Sequence, residues 1–144
     1  MTEQDGVLME VIRAHGHENV SAEHASTFEV TSDDFLTSAG DCILGIEADR
    51  VPADFGDEFL TTCQDADATT VAEFEVGGAV ERIEGRGHPE LSFENDRSLV
   101  GRTSDYVDDR TIMVGAEKAA EDIDRELVDA LADGAELTVT LSVE

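Results

Sequence analysis

Apolar and polar residues alternate along several stretches of the chain with the period of a β-strand. Residues 8–15 and 80–86 each predict a strand. Residues 20–31 also alternate, which predicts one long half-buried strand. The short runs CILGI (42–46) and TIMVGA (111–116) are apolar on both faces, so each predicts the central strand of a sheet.

Two other stretches have the spacing of an amphipathic helix. Pro52 suits a first helical turn. Phe55, Phe59 and Cys63 follow it at intervals of four residues, and together they form an apolar stripe. The matching stripe later in the chain consists of Ala120, Ile123, Leu127 and Leu131. Gly134 is the expected helix stop. Both stripes are predicted to lie on a sheet.

The two halves of the chain resemble each other. Residues 9–24 and 80–95 are identical at six of sixteen aligned positions, where chance would give about one. The identical pairs are Glu10/Glu81, Ile12/Ile83, Gly16/Gly87, His17/His88, Ser21/Ser92 and Glu23/Glu94. We therefore predict an internally duplicated β-β-β-α-β unit, with repeats at about 7–76 and 79–143 of a single domain spanning 1–144.

The join between the halves predicts a shared core. Gly77-Gly78 separates two alternating segments, which is typical of a tight β-hairpin. Units joined in this way should share their sheets around a pseudo-two-fold axis. The expected fold class is mainly β (α+β), with about eight strands and two flanking helices. An antiparallel sandwich or jelly-roll-like barrel is the expected closure, because it removes exposed strand edges.

The excess of acidic residues indicates the environment in which the protein is expected to work. The chain has 35 acidic and 9 basic residues and a net charge of −26, and Lys118 is its only lysine. Together with 40% hydrophobic residues in periodic segments, this is typical of a folded, halophilic protein. Charges at molar salt are screened within about 3 Å. Phosphate binding by counterion release is weak there, which argues against nucleic acid as a partner.

The sequence also bears on location and on the cysteines. The opening MTEQDGV has no signal-peptide pattern and no window is apolar enough for a membrane span, so we expect a cytoplasmic protein. Cys42 and Cys63 have no CxxC spacing and are expected to be free thiols. Because Cys42 lies in an apolar run, its thiol pKa should be raised, which favours a structural role over a nucleophilic one.

Longer stretches suggest a family. The run GHENVSAEHASTFEVTSDDFLTSAGDCILGI from residue 16, with GRGHPELSF and AEKAAEDIDRELVDAL, resembles the archaeal domain of unknown function 371 over nearly the whole chain. The positions that carry the resemblance are Gly16-His17, Asn19, His24, Thr27, Gly40-Asp41-Cys42, Gly45, Gly87-His88-Pro89 and Arg110. The resemblance implies a mainly-β, jelly-roll-like domain and no particular activity. The chain departs from non-halophilic members in having acidic residues where Lys and Arg are more usual.

The repeated Gly-His pair gives the first candidate site residues. In one interpretation His17 and His88 are turn residues, because glycine permits unusual backbone angles and an imidazole can bond nearby main chain. In the other they lie near the pseudo-axis as ligands or proton carriers. The predicted inward face of residues 20–31 is interrupted at His24, and the aligned position in the second half is Asn95.

Arg97 aligns with a second interruption of the same face, at Ser26. An inward polar group must be bonded or must line a cavity. The alternatives are therefore a satisfied core network and a pocket lined by His24, Asn95 and Arg97. A local run of five arginines supports either an anion site or ordinary surface ion pairs with carboxylates. Its members are Arg82, Arg86, Arg97, Arg102 and Arg110.

Three functions remain open from the sequence. The first is a small-ligand or anion-binding module with a site between the repeats, formed by His17, His24, His88, Asn95 and Arg97. The second is a metal-dependent hydrolase-type enzyme, in which the three histidines hold the ion and Asp41 is acid or base; no zinc spacing signature supports it. The third is a protein-interaction module. No residue pattern names a cofactor, a substrate or an oligomeric state.

Overall fold

The computed structural model describes residues 3–4 and 7–144, so part of the N-terminal stretch read for a targeting signal lies outside the described residues. The strands are β1 (Glu3–Gln4), β2 (Val7–His15), β3 (Thr27–Thr31), β4 (Ile43–Gly45), β5 (Thr69–Val76), β6 (Ala79–Arg86), β7 (Ser98–Arg102), β8 (Thr111–Met113) and β9 (Glu136–Val143). The helices are α1 (Asp57–Cys63) and α2 (Arg125–Ala132), which follow 3₁₀ turns at Pro52–Asp54 and Ala120–Asp122.

These elements form two sheets, and the predicted mainly-β architecture with two helices is confirmed. The five-stranded sheet has the order β1-β2-β9-β5-β6 and is antiparallel. The four-stranded sheet has the order β4-β3-β7-β8. Its central pair is antiparallel, whereas β4 and β8 each run parallel to their neighbour, which departs from the all-antiparallel expectation.

The expected closed barrel is not formed. The two sheets approach each other at isolated backbone bridges, His15 with Ile46 and Arg86 with Val114. Because β4 and β8 have only three residues each, hydrogen bonding does not continue around the molecule. The prediction of central strands for the two apolar runs is also wrong, since β4 and β8 are the edges of their sheet. Leu44 and Ile112 are nevertheless buried in the core.

The hairpin at the middle of the chain is confirmed. Val76 pairs with Ala79, and the two glycines between them have φ angles of 56° and 91°. These left-handed angles are those of the favoured two-residue hairpin turn. The first strand of each half also matches its prediction within one residue, because β2 and β6 begin at Val7 and Ala79.

The long strand predicted for residues 20–31 is wrong over its first part. The ladder begins only at Thr27, and the preceding residues are irregular. Ala22 has a φ of 49°, and the Nδ1 atom of His24 accepts hydrogen bonds from the N–H groups of Ser26 and Thr27. This turn replaces strand pairing, so the alternating pattern there does not report a sheet face.

Both predicted helical stripes are buried. Phe59 and Cys63 face the core from α1, whereas Phe55 lies just before the helix because Pro52 begins a 3₁₀ turn. All four residues of the second stripe are buried, and Gly134 has a positive φ of 87° after α2. The buried side chains from both sheets and both helices form one hydrophobic cluster. Edge-to-face aromatic contacts, such as Phe28 on Phe74 at 5.3 Å, contribute to it.

Two glutamates hold the segments that precede the helices. Glu10 accepts the N–H of Gly56 at 2.8 Å and lies 2.6 Å from the guanidinium of Arg50. Glu81 accepts the N–H of Asp124 at 2.9 Å and pairs with Lys118 at 2.6 Å. Gly56 and Asp124 are the N-cap residues of α1 and α2. The two carboxylates therefore anchor each helix start to the five-stranded sheet.

The glycines of the two Gly-His pairs are required by close packing. A Cβ atom at Gly16 would lie 1.8 Å from the main-chain oxygen of Leu131, and one at Gly87 would lie 2.2 Å from that of Cys63. The main chain after β2 thus rests on the end of α2, and the main chain after β6 rests on the end of α1. No larger residue fits at either position without backbone movement.

Candidate functional site

The three predicted site histidines each complete a local turn. The Nδ1 atom of His17 accepts the N–H of Asn19 at 3.0 Å, and that of His88 accepts the N–H of Glu90 at 3.0 Å. His24 accepts two N–H groups in the same way, at 3.2 Å each. An Nδ1 atom that accepts requires the proton of the neutral ring to be on Nε2. These contacts correspond to the turn interpretation of the Gly-His pairs.

In the second half, Asn95 occupies the position equivalent to His24 and likewise accepts main-chain N–H groups in a turn. Its side-chain oxygen accepts the N–H groups of Arg97 and Ser98 at 2.8 Å each. Arg97 does not face inward as expected, because β7 begins only at Ser98. Its side chain is 63% exposed and forms a forked pair with Asp33, in which the closest N···O distance is 2.7 Å. The hydrogen bonds from Arg97 lower the pKa of Asp33.

Three surface concavities in the described part of the chain are lined by residues other than the five predicted ones. Their volumes are about 260, 200 and 240 Å³, and none of them is lined by His17, His24, His88, Asn95 or Arg97. Across residues 3–4 and 7–144, no three His, Cys, Asp or Glu side chains are arranged to hold a metal ion. The three histidines suggested as metal ligands in the hydrolase interpretation, His17, His24 and His88, therefore do not form a metal site.

A polar cluster instead lies at the centre of the four-stranded sheet. Glu29 is on β3 beside Val100 of β7, and its side chain is only 14% exposed. The Sγ atom of Cys42 lies 3.4 Å from its Oε1, and a guanidinium nitrogen of Arg110 lies 4.0 Å from its Oε2. Cys42 immediately precedes β4 and Arg110 immediately precedes β8. Both edge strands thus bring a residue towards one central carboxylate.

Asp108 connects two arginines at the β8 side of this cluster. Its Oδ2 accepts from Arg102 at 3.0 Å and from Arg110 at 3.2 Å. Its Oδ1 accepts the hydroxyl of Thr111, and the ring of Tyr106 lies 4.8 Å from the guanidinium carbon of Arg102. Burial alone would raise the pKa of Asp108, but the hydrogen bonds of the two arginines and the charge of Arg102 outweigh it and lower that pKa. We call Glu29, Cys42, Arg102, Asp108 and Arg110 the Glu29 cluster.

The Cys42 thiol is a hydrogen-bond donor in this cluster. Burial, and then the negative charge and hydrogen bond of Glu29, raise its pKa to about 11. Burial likewise raises the pKa of Cys63 to about 12. Both cysteines are free, as expected, and the predicted rise in the pKa of Cys42 is confirmed. A thiol that stays protonated near neutral pH is a poor nucleophile.

Comparison with known proteins identifies the family. The family described as Domain of unknown function (DUF371) matches residues 12–144. The chain belongs to this family. An uncharacterised protein of Methanocaldococcus jannaschii is similar to it, with 43% identity over 133 residues that cover 92% of this chain and 98% of the relative. The resemblance to domain of unknown function 371 is therefore confirmed.

Some of the residues by which the chain resembles DUF371 belong to the Glu29 cluster, which the strand pattern alone did not reveal. Cys42 and Arg110 are both among the positions by which the chain resembles the family; Arg110 was predicted as one of five arginines that form an anion site or surface ion pairs, and Cys42 as a structural thiol. Glu29 could have been noticed because it is an acidic residue between the buried Phe28 and Val30. Only the sheet topology shows that these residues meet. Among the described residues, no helix is both long and apolar enough to span a membrane.

Proposed function

We propose that the protein is a small-ligand-binding module and that its ligand binds at the Glu29 cluster. The observation that carries this proposal is the incomplete bonding of a largely buried carboxylate. The Cys42 thiol donates to its Oε1 at 3.4 Å, an ordinary distance for a sulfur donor, whereas the Arg110 nitrogen that pairs with its Oε2 lies 4.0 Å away, beyond hydrogen-bond distance. Buried charges usually have a full set of short partners.

The chemistry of the cluster defines the ligand. A ligand N–H or O–H group supplies the donor that Glu29 lacks. An anionic group of the same ligand binds the Arg110 guanidinium, which is 40% exposed. The predicted small anionic ligand is retained in this form, but its site moves from the five residues proposed from the sequence to the Glu29 cluster. No step of bond breaking is part of the proposal.

The site lies between the two halves of one domain, which we propose arose by internal duplication. From β2 onward, each half has three strands, a 3₁₀ turn, a helix and a final strand in the same order. Equivalent details support this, including the positive φ angles of Ala22 and Phe93, at 49° and 50°. We also retain the proposal that the acidic composition is an adaptation to a cytoplasm of high salt.

Glycine tests the proposed site, because it is the smallest common molecule with both an ammonium donor and a carboxylate. Amide chemical shifts are recorded by NMR in molar KCl as glycine is added. We expect shifts centred on Glu29, Cys42 and Arg110. Loss of one charged hydrogen bond should weaken binding about tenfold or more, so Glu29→Gln and Arg110→Gln should each show this effect.

Arg82→Gln is the matched control, because Arg82 is an exposed arginine on the other sheet and pairs with Glu84. It should bind glycine like the unmodified protein. Inorganic phosphate, which supplies an anion without an ammonium donor, should bind more weakly than glycine. The proposal is wrong if glycine leaves these amides unchanged, or if Arg110→Gln and Arg82→Gln bind it equally well.

A protein-interaction role is the second candidate function. Part of the β6 edge of the five-stranded sheet has no main-chain partner among the described residues, and this observation favours a role that does not depend on the Glu29 cluster. The hydrolase-type interpretation has no comparable support among the described residues.

A further inference from the structure

The two long outer strands of the five-stranded sheet differ in how their free sides are covered. On β2, His15 bonds to Ile46 in both directions, at 3.1 and 2.8 Å. Both main-chain groups of Arg13 bond to Asp49, at 2.8 and 2.9 Å. Further along, Arg50 reaches the main-chain oxygen of Val11, and β1 pairs with the start of the strand. This side of the sheet is closed by the chain itself.

The free side of β6 is covered only at its end. Arg86 bonds to Val114 in both directions, at 2.8 and 3.0 Å, and the oxygen of Glu84 accepts the N–H of Glu117. In an antiparallel strand, the N–H and C=O groups of every second residue point to the same edge. The main-chain groups of Val80 and Arg82 therefore point to the free side of β6, as those of Glu84 and Arg86 do. Neither residue has a main-chain partner on that side in the described part of the chain.

An apolar groove lies beside this open edge. It has a volume of about 240 Å³ and lies between the β5–β6 hairpin and α2. Its apolar lining consists of Val76, Ala79, Val80, Leu127 and Ala130. Asp124 and Glu126 add carboxylates to the lining. Val80, at 58% exposed, belongs both to the groove and to the open edge.

We propose that the β6 edge binds an extended segment of a partner protein, which adds a strand to the sheet along Val80 and Arg82. The unpaired main-chain groups supply the hydrogen bonds, as in other cases of strand addition. One apolar side chain of the segment enters the groove. In the added strand, the residues two positions before and two positions after this apolar residue lie on the same face as it does. Basic residues at these positions would pair with Asp124 and Glu126. Charge complementarity therefore selects a segment with an apolar residue between two basic ones.

A blocked pentapeptide, Lys-Thr-Val-Thr-Lys, is the probe for this surface. In molar KCl it should shift the amide signals of Val80 and Arg82 and slow the exchange of both amide hydrogens with solvent. The peptide Glu-Thr-Val-Thr-Glu should bind more weakly, because only charges in direct contact interact at this salt concentration and its end residues cannot form contact ion pairs with Asp124 and Glu126. Arg110→Gln should leave peptide binding unchanged, which separates this inference from the proposed ligand site.

Val80→Pro provides the decisive variant, since proline has no N–H and is tolerated on a strand edge. It should weaken peptide binding about tenfold, whereas Val80→Thr, which keeps the N–H, should bind within about twofold of the unmodified protein. Ala130→Leu fills the groove from α2 and gives an independent test that leaves β6 intact. The inference is overturned if the two amides are already protected without peptide, or if Val80→Pro and Ala130→Leu both bind normally.

Discussion

Replacement of Glu10 by glutamine tests how strongly a carboxylate fixes the start of α1. The side chain of Glu10 is 8% exposed, with one oxygen 2.6 Å from Arg50 and the other 2.8 Å from the N–H of Gly56. Glutamine has nearly the same shape and keeps an oxygen for one of these contacts. The variant therefore removes the charge with little change in packing.

The expected cost follows from the two contacts. Hydrogen bonds to charged groups contribute about 1.5–3 kcal/mol, against about 0.5–1.5 kcal/mol for neutral ones. Loss of the charge should thus reduce the contact that keeps the oxygen by about 1 kcal/mol, whereas the contact that faces the amide NH2 group is lost, at about 1.5–3 kcal/mol, so the free energy of unfolding should fall by roughly 3 kcal/mol in total. In a chain of this size, 1 kcal/mol corresponds to about 2–4 °C in Tm, so we expect a decrease of about 6–12 °C.

Urea unfolding at constant KCl measures the free energies for Glu10→Gln, Arg50→Gln and the double variant. The double variant should cost less than the sum of the two single variants, because both remove the same ion pair, although Glu10 also bonds to Gly56 and Arg50 to the main-chain oxygen of Asp54. Arg82→Gln is the control, since the Arg82–Glu84 pair is 56% and 40% exposed and should contribute less than about 1 kcal/mol. Additive costs for the two single variants would refute the reasoning.

Three further outcomes follow from the same structure. Gly16→Ala should destabilise the protein by more than about 3 kcal/mol in calorimetry, because a main-chain oxygen of α2 would lie 1.8 Å from the new Cβ; Gly134→Ala, with nothing within 4 Å, should cost only the strain of its positive φ, about 1–2 kcal/mol. Cys42 should react with iodoacetamide at least about a hundredfold more slowly at pH 8 in the folded protein than in urea, because its pKa is about 11, and equal rates would contradict this. The hydrogen bond to Glu47 raises the pKa of His15 above 6.5. The contribution of this pair to stability should therefore be complete below pH 6.5 and disappear as pH rises through the raised pKa. NMR titration of the imidazole should show the raised pKa, and the shift should be lost in Glu47→Gln.

Local patterns predicted the elements that depend on local chemistry. The Gly77-Gly78 turn and the two strands that open the halves follow from residue type and alternation alone. The start of β3 was missed because an imidazole accepts main-chain hydrogen bonds there, and a turn of this kind preserves alternation in the sequence. The edge positions of β4 and β8 were missed for another reason. An apolar run reports burial, but the number of strands beside it depends on distant pairing.

The site that we propose shares only its general location with the one predicted from the sequence. The sequence indicated that functional residues lie where the halves meet, and the Glu29 cluster does lie on the central strand pair. The particular residues differ, because His24 and Asn95 are used to close turns and Arg97 is paired with Asp33. The contacts between Glu29 and Arg110 join residues far apart in the chain. Neither alternation nor spacing within one segment could show that these side chains meet.

The pairing of β2 with β9 has a consequence for how the protein is made. These strands come from opposite ends of the chain, and β9 lies between β2 and β5 in the sheet. At about 5–20 residues per second, β2 leaves the ribosome roughly ten seconds before the strand it pairs with. The nascent chain must therefore keep Leu8 and Ile12 from aggregating until β9 has been synthesised and can pair with β2.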